Sequence, residues 1–129
     1  MTALQPVGWM TPRGYANGVL THGQTIFVAG QIGWNAQCVF ESDDLVAQVR
    51  QALLNVRAVL AQGGAGPEHI ARMSWYLVDK REYLARAREI GAAYRELIGH
   101  YDVAMSAVQV VALMEDRARV EIEVTAVLP

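Results

Sequence analysis

The chain has 129 residues, the length of one domain, and its 11 basic and 13 acidic residues are well mixed and leave a net charge of −2. Nucleic-acid binding needs a patch of Lys and Arg that neutralises phosphates, and the sequence contains no run of these residues. A single cysteine fits a reducing compartment and no apolar segment approaches the ~20 residues that cross a bilayer, so a cytoplasmic protein without a membrane partner is expected.

The N-terminal third is predicted to form an extended segment and a β-hairpin. Residues 1–14 contain two prolines and two glycines and lack the basic start and long apolar run of a secretion signal, which indicates an extended or irregular segment. Residues 15–21 and 25–30 flank a short turn that contains Gly23. The β-branched and aromatic residues after this turn favour a strand-turn-strand unit, followed by a loop over residues 34–41.

Two amphipathic helices with a strand between them are predicted next. Residues 42–44 offer side-chain acceptors and negative charge, as a helix N-terminus prefers, and apolar residues then recur at three- and four-residue spacing over residues 45–60. Gly63 is the expected stop. After a short helical turn, Ile70–Val78 is predicted to be the third strand and Glu82–Ile98 the second helix.

Two further strands, joined through residues 113–118, are expected to end the chain. The last strand alternates between polar and apolar residues, so its apolar face is expected to meet the helices, while its polar face would be solvated in a monomer. The order strand-strand-helix-strand-helix-strand-strand predicts one α+β domain over residues 1–129, with a mixed sheet of about six strands and both helices on one face. The polar residues are Arg119, Glu121, Glu123 and Thr125, and the apolar ones are Val120, Ile122, Val124 and Ala126.

The sequence indicates neither a metal site nor a cofactor. The three histidines lie far apart and lack partners at the spacing of metal ligands. The glycine-rich residues 63–66 follow a helix rather than a strand and lack the Gly-Lys-Ser/Thr ending of a phosphate loop. Trp9 and Trp34 lie in terminal or loop-like segments, where packing is the expected role and contact with a flat ligand the alternative.

Five segments, in register along most of the chain, resemble motifs of the RidA/YjgF family of enamine/imine deaminases. No single segment is specific for the family, but the occurrence of all five in this order is. They are Gly14-Tyr15-Ala-Asn-Gly18, Phe27-Val-Ala-Gly-Gln-Ile32, Gln51-Ala-Leu-Leu-Asn-Val56, the segment Val103–Leu113 and the closing strand Val120-Glu-Ile-Glu-Val124.

The resemblance implies a chorismate-mutase-like α+β sandwich that assembles as a homotrimer with small-molecule clefts between subunits. A neighbouring subunit would also account for the hydrophobic fraction of 53%, which is high for a small monomer. In the family a glutamate of the last strand and backbone groups position the water that attacks the C=N carbon, and a tyrosine lines the cleft. Glu121 matches the glutamate, Tyr15 the tyrosine, and the backbone around Gly30 and Gln31 the positioning groups.

Two positions depart from the family pattern. Met105 falls where active members carry the arginine that binds the substrate carboxylate, and Ala29 falls on the serine before Gly-Gln. Near Gly91 the family often has an asparagine, although the spacing there differs. A hydrogen-bonded arginine–carboxylate pair is worth about 1.5–3 kcal/mol, so its loss weakens capture of a small 2-imino acid by roughly ten- to a few hundred-fold.

These departures leave more than one function open. The first hypothesis is a trimeric deaminase for an imine that is larger, or less dependent on a carboxylate, than a simple 2-imino acid. The second is a non-catalytic trimer that binds a metabolite in the same clefts. A third, RNA cleavage, is disfavoured by the mild acidity. Arg13, Arg72 and Arg119 are the candidates to restore the anion site in space.

Overall fold

The computed structural model describes all 129 residues as a four-stranded sheet with its helices on one face, beside a separate two-stranded sheet. The strands are β1 (Thr2–Leu4), β2 (Gly18–Leu20), β3 (Gln24–Ile32), β4 (Ile70–Leu77), β5 (Ala104–Gln109) and β6 (Val120–Leu128). The helices are α1 (Leu45–Gln62), α2 (Lys80–Ala85) and α3 (Ala87–Leu97), with one 3₁₀ turn at Pro67–His69. None of the helices combines the length and apolar character that crossing a membrane requires.

The larger sheet is mixed and has the strand order β3-β6-β4-β5. β6 runs antiparallel to both β3 and β4, whereas β4 and β5 are parallel. An irregularity in β3 between Val28 and Gln31 shifts its register against β6. Bulges of this kind commonly occur beside functional sites because they redirect side chains.

Helix α1 begins and ends as the sequence predicts. The Asp44 carboxylate accepts a hydrogen bond from the Ala47 amide at 3.0 Å, and the chain leaves the helix at Gly63. The apolar stripe of α1 is buried in the core, with Leu53 and Leu60 fully inaccessible. Each such side chain contributes roughly 1.5–3 kcal/mol of transfer free energy before entropy is counted, which fixes the helix on the sheet.

The last strand confirms the predicted alternation. Its apolar residues belong to the core between sheet and helices, so we call that side the helix face. Its polar residues lie on the opposite side, the outer face, which no helix covers. The four core residues of β6 that follow the alternation are Val120, Ile122, Val124 and Ala126.

The predicted hairpin is wrong, because β2 pairs with β1 instead of β3. The expected strand over residues 15–21 is divided: Ala16 forms an isolated bridge with Ala104 at the start of β5, and only Gly18–Leu20 pairs with the N-terminal strand. The chain has six strands, in agreement with the expected total of about six, but β1 was not predicted and the strands form two sheets of four and two rather than one. Thr2–Leu4 supplies the hydrogen-bonding partner, and the segment expected to be irregular is thus partly a strand.

The predicted second helix is broken at Arg86, which separates α2 from α3. Asp79 caps α2 by accepting from the Arg81 amide at 3.0 Å. Arg86 itself is held by Asp44, at 2.7 Å, and by Glu89, at 2.9 Å. These two hydrogen-bonded carboxylates raise the pKa of the Arg86 guanidinium, and the pair with Asp44 ties the break to the N-terminus of α1.

Candidate functional site

A groove with a volume of about 890 Å³ lies between the N-terminal segment, α2 and α3, and β5. Among the predicted site residues, Tyr15 and Met105 line it. Aromatic side chains form much of the remaining wall, and this volume falls within the ≈ 300–1,000 Å³ of typical small-molecule sites. The aromatic residues are Trp75, Tyr83, Tyr94 and Tyr101.

Backbone hydrogen bonding places Tyr15 at this groove. The Ala16 amide donates to the Val103 carbonyl at 2.8 Å, which holds the segment against the start of β5. Gly14 has φ +80°, a left-handed conformation that glycine adopts at little cost, and it turns the chain into this contact. Tyr15 remains 44% exposed and is therefore available to a ligand or a second subunit.

Met105 and Trp75 lie on the helix face of the sheet. Met105 is in register with the fully buried Met73 and packs partly against the core. Trp75 is 2% exposed, its indole N–H has no hydrogen-bond partner, and its ring lies 6.2 Å from that of Tyr83 and 6.3 Å from that of Tyr94. Burial raises the pKa of Tyr94 to about 12 and shifts that of Tyr83 in the same direction, so both phenols are neutral at physiological pH.

Two arginines reach the groove without an ion-pair partner. Arg13, one of the three arginines considered from the sequence, lines it, and so does Arg95 of α3, which the sequence reasoning missed. Neither forms one of the chain's ion pairs. Of the other two candidates, Arg119 pairs with Glu82 at 3.3 Å, and Arg72 lies in β4 outside the groove.

The other predicted site residues form a second group on β3 and β6. Glu121 is in register with Tyr76 of β4, and its side chain extends over Gly30. A Cβ placed on Gly30 would lie 2.6 Å from Cδ of Glu121, so only glycine leaves the carboxylate in this position. The side-chain amide of Gln31 donates from Nε2 to the Ala29 carbonyl at 3.0 Å within the irregular part of β3.

The carboxylates of β6 differ in their surroundings. Glu123 accepts a hydrogen bond from the Tyr76 hydroxyl at 3.2 Å, and its negative charge raises the pKa of that tyrosine. Glu121, two residues earlier on the same outer face, makes no side-chain hydrogen bond within the protomer. Its oxygens are therefore free to accept from water or a ligand.

The predicted site residues thus fall into two groups on opposite faces of one sheet. Tyr15 and Met105 line the groove on the helix side, whereas Glu121 and Gly30 lie on the outer face. One protomer does not bring these groups together. Trp9 and Trp34 are not among the groove residues, and no three His, Cys, Asp or Glu side chains converge to hold a metal ion.

The fold and the arrangement of these residues define a chorismate-mutase-like α+β protein. Residues 10–128 match the family described as Endoribonuclease L-PSP. A RutC family protein of Synechocystis is 30% identical over 100% of this chain and 98% of its own. The Rid-family protein YyfB of Yersinia pestis superposes with a TM-score of 0.83, at 34% identity over 98% of both chains. E. coli TdcF, whose crystal structure contains bound serine, superposes with a TM-score of 0.72, at 26% identity over 100% of both chains.

These likenesses cover the whole chain and agree with the motifs found in the sequence. The chain belongs to the RidA/YjgF family.

Proposed function

We propose that the chain is a deaminase that hydrolyses a small-molecule imine or enamine to a carbonyl compound and ammonia, in clefts between the subunits of a homotrimer. The observation that carries the proposal is the division of the candidate residues between two faces of the sheet. Tyr15 and Met105 form one wall, and Glu121 with Gly30 forms another. A neighbouring copy whose outer face covers the groove would complete the site.

The outer face has the character of a subunit interface. Phe27 is 79% exposed there and Val108 is 49% exposed, although both lie in strands of the central sheet. Large apolar side chains at such exposure are typical of surfaces that meet a partner. In a trimer these residues would be buried, and the free carboxylate of Glu121 would face the groove of the next subunit.

The chemistry follows from this placement. Glu121 accepts a hydrogen bond from a water molecule and orients its oxygen toward the C=N carbon of the substrate. The oxygen adds to that carbon while one proton of the water passes to the imine nitrogen, which gives a carbinolamine. The remaining hydroxyl proton then moves to the nitrogen, the C–N bond breaks, and ammonia leaves while the carbon becomes a carbonyl. Tyr15 closes the cleft wall, and the backbone of Ala29 and Gln31 fixes the position of the reacting group.

The groove favours a larger substrate than the simplest 2-imino acids. Met105 supplies no charge to a carboxylate, and its thioether with the surrounding rings makes this wall apolar. A carboxylate placed against Met105, rather than near Arg13 or Arg95, loses its hydration without a replacement, which is costly. The serine bound to E. coli TdcF supports an amino-acid-like ligand for this chain.

The test is imine hydrolysis by the wild type and by Glu121→Gln, with the imine generated in situ from an aromatic amino acid and ammonia release followed over time. We expect wild type to accelerate the reaction and Glu121→Gln to lose that acceleration. Glu123→Gln is the matched control, because it removes a carboxylate from the same face of the same strand. Equal rates for wild type and Glu121→Gln would overturn the proposal.

A non-catalytic, trimeric metabolite-binding protein is the second candidate. It is favoured by Met105 in place of the arginine and by Ala29 in place of the serine. If this candidate is correct, wild type binds a ligand without turning it over. Ala107→Trp should block that binding, because Ala107 lines the groove. RNA cleavage is not proposed, since the chain has a net charge of −2, and RNA left intact by rigorously purified protein would exclude it.

A further inference from the structure

We propose that Arg95 is the carboxylate-binding residue of this chain's groove and that the ligand is a carboxylate carrying an aromatic or similarly flat apolar group. The inference rests on the proposed cleft and identifies the class of ligand that it accepts. The arginine would reach the groove from helix α3 rather than from strand β5, where Met105 now lies.

Gly91 makes room for this arginine. Arg95 lies one helical turn after Gly91 on α3, and its Nη1 atom is 3.1 Å from the position that a Cβ on residue 91 would occupy. Any side chain at residue 91 would therefore compete with the guanidinium for the same space. Gly91 and Met105 thus line the same groove as Arg95, and neither carries a charge of its own.

Arg95 is also free to bind a ligand. The neighbouring Arg50 and Arg86 are both engaged by carboxylates of the protein, namely Glu96, Asp44 and Glu89. Arg95 has no such partner, although it lies next to Glu96 in sequence.

The charge around the groove favours an anion. Within one protomer, Arg13 and Arg95 line it together with one carboxylate, Asp102, so the two guanidinium groups exceed the negative charge by one before the carboxylate contributed by a neighbouring copy is counted. Arg13 also makes no side-chain ion pair. Two unpaired guanidinium groups at one cavity suit a planar carboxylate, which each can bind through two N–H groups.

The other walls of the groove define the rest of the ligand. Trp75, Tyr94 and Tyr83 form a packed aromatic cluster on the side of the groove that Met105 continues. The groove has a volume of about 890 Å³, so a three-carbon acid bound in it would leave most of this wall uncovered. Because Trp75 is buried, a ring on the ligand would contact the half-buried rings of Tyr83 and Tyr94 and make aromatic contacts there that a methyl group cannot make.

The test is calorimetric titration of the full-length protein with phenylpyruvate, the carbonyl product of an aromatic 2-imino acid, and with phenylacetone, which replaces its carboxylate by a methyl group. We expect Arg95→Ala to weaken phenylpyruvate binding about tenfold, the lower end for a hydrogen bond to a charged group, because the arginine is partly solvated. Binding of phenylacetone should not change. Gly91→Asn should weaken phenylpyruvate binding as well, by displacing the guanidinium.

Arg88→Ala is the matched control, since Arg88 lies on the same helix, makes no ion pair and is outside the groove. Unchanged phenylpyruvate affinity in Arg95→Ala, no binding by wild type, or an equal loss for phenylacetone would each overturn the inference. Because the titration requires no turnover, a failure of Glu121→Gln to affect imine hydrolysis would refute the deaminase alone. Loss of hydrolysis in Glu121→Gln with unchanged binding in Arg95→Ala would refute the anion site alone.

Discussion

Replacement of Gly30 by alanine tests whether the position of the Glu121 carboxylate matters. The new Cβ would lie 2.6 Å from Cδ of Glu121 and closer still to Oε2, so the carboxylate must move by about 1 Å to reach an ordinary contact of 3.4 Å. Misplacement of a reacting group by about 1 Å can reduce rates by roughly 10²-fold. We therefore expect kcat/KM for imine hydrolysis to fall between about tenfold and 100-fold in Gly30→Ala.

Stability should change little in the same variant. Gly30 does not have a left-handed backbone conformation, and the group that the methyl displaces is the end of a flexible side chain. The free energy of unfolding should thus change by less than about 1 kcal/mol. Gly18→Ala is the matched control, because its Cβ would make only ordinary contacts of 3.5 Å with Leu4.

A double-mutant cycle shows whether Gly30 acts through Glu121. If it does, Gly30→Ala adds no further loss of kcat/KM to a Glu121→Gln enzyme, because the displaced carboxylate is already gone. Wild-type kcat/KM in Gly30→Ala, or two losses that multiply in the double variant, would show that Gly30 does not act through Glu121.

Three further predictions concern stability and specificity. Gln48→Met should lower the free energy of unfolding by about 2–4 kcal/mol, measured in urea titrations at fixed protein concentration. The buried side-chain amide of Gln48 accepts a hydrogen bond from the Arg119 backbone N–H at 2.8 Å and donates to two backbone carbonyls at 3.0 Å. A loss under about 0.5 kcal/mol would contradict this expectation. The raised pKa of Tyr94, about 12 in the fold against about 10 when unfolded, means that the unfolded state ionises first and stability is lost as pH rises from about 10 to about 12. The Tm of Tyr94→Phe should therefore fall less steeply than that of wild type across this range, and equal slopes would argue against it. Met105→Arg should raise kcat/KM for small 2-imino acids by roughly ten- to a few hundred-fold, measured with the imine generated in situ, and no gain would show that the groove does not receive the carboxylate there.

The parts of the fold that the sequence predicted correctly depend on local patterns. The stripe of α1, its cap at Asp44 and the alternation of β6 each follow from residue spacing within one element. The prediction of a hairpin was wrong because the partner of β2 is Thr2–Leu4. The sequence of a strand of three residues does not indicate which strand it pairs with. The break at Arg86 was missed because it involves Asp44, 42 residues away in sequence.

The candidate site was predictable only through the family motifs. Periodicity placed Glu121 on a polar face but gave no reason to prefer it over Glu123. Arg95 was not predicted because its proposed role depends on the absence of a side chain at Gly91. The proximity of these two residues at a ligand site is evident only once α3 is known to face the groove. The signal available in the sequence was the four-residue spacing of Gly91 and Arg95 on a predicted helix.

Subunit mixing tests most directly whether the site is built from two copies of the chain. Ala107→Trp fills the groove, and Glu121→Gln disables the outer face, so each homotrimer should be inactive in imine hydrolysis. After the two variants are unfolded together and refolded at equal concentrations, about a quarter of the interfaces in randomly mixed trimers combine an open groove with an intact Glu121. We expect recovery of about a quarter of wild-type activity. A mixture that forms mixed trimers but stays as inactive as its parents would show that the site is not shared between subunits.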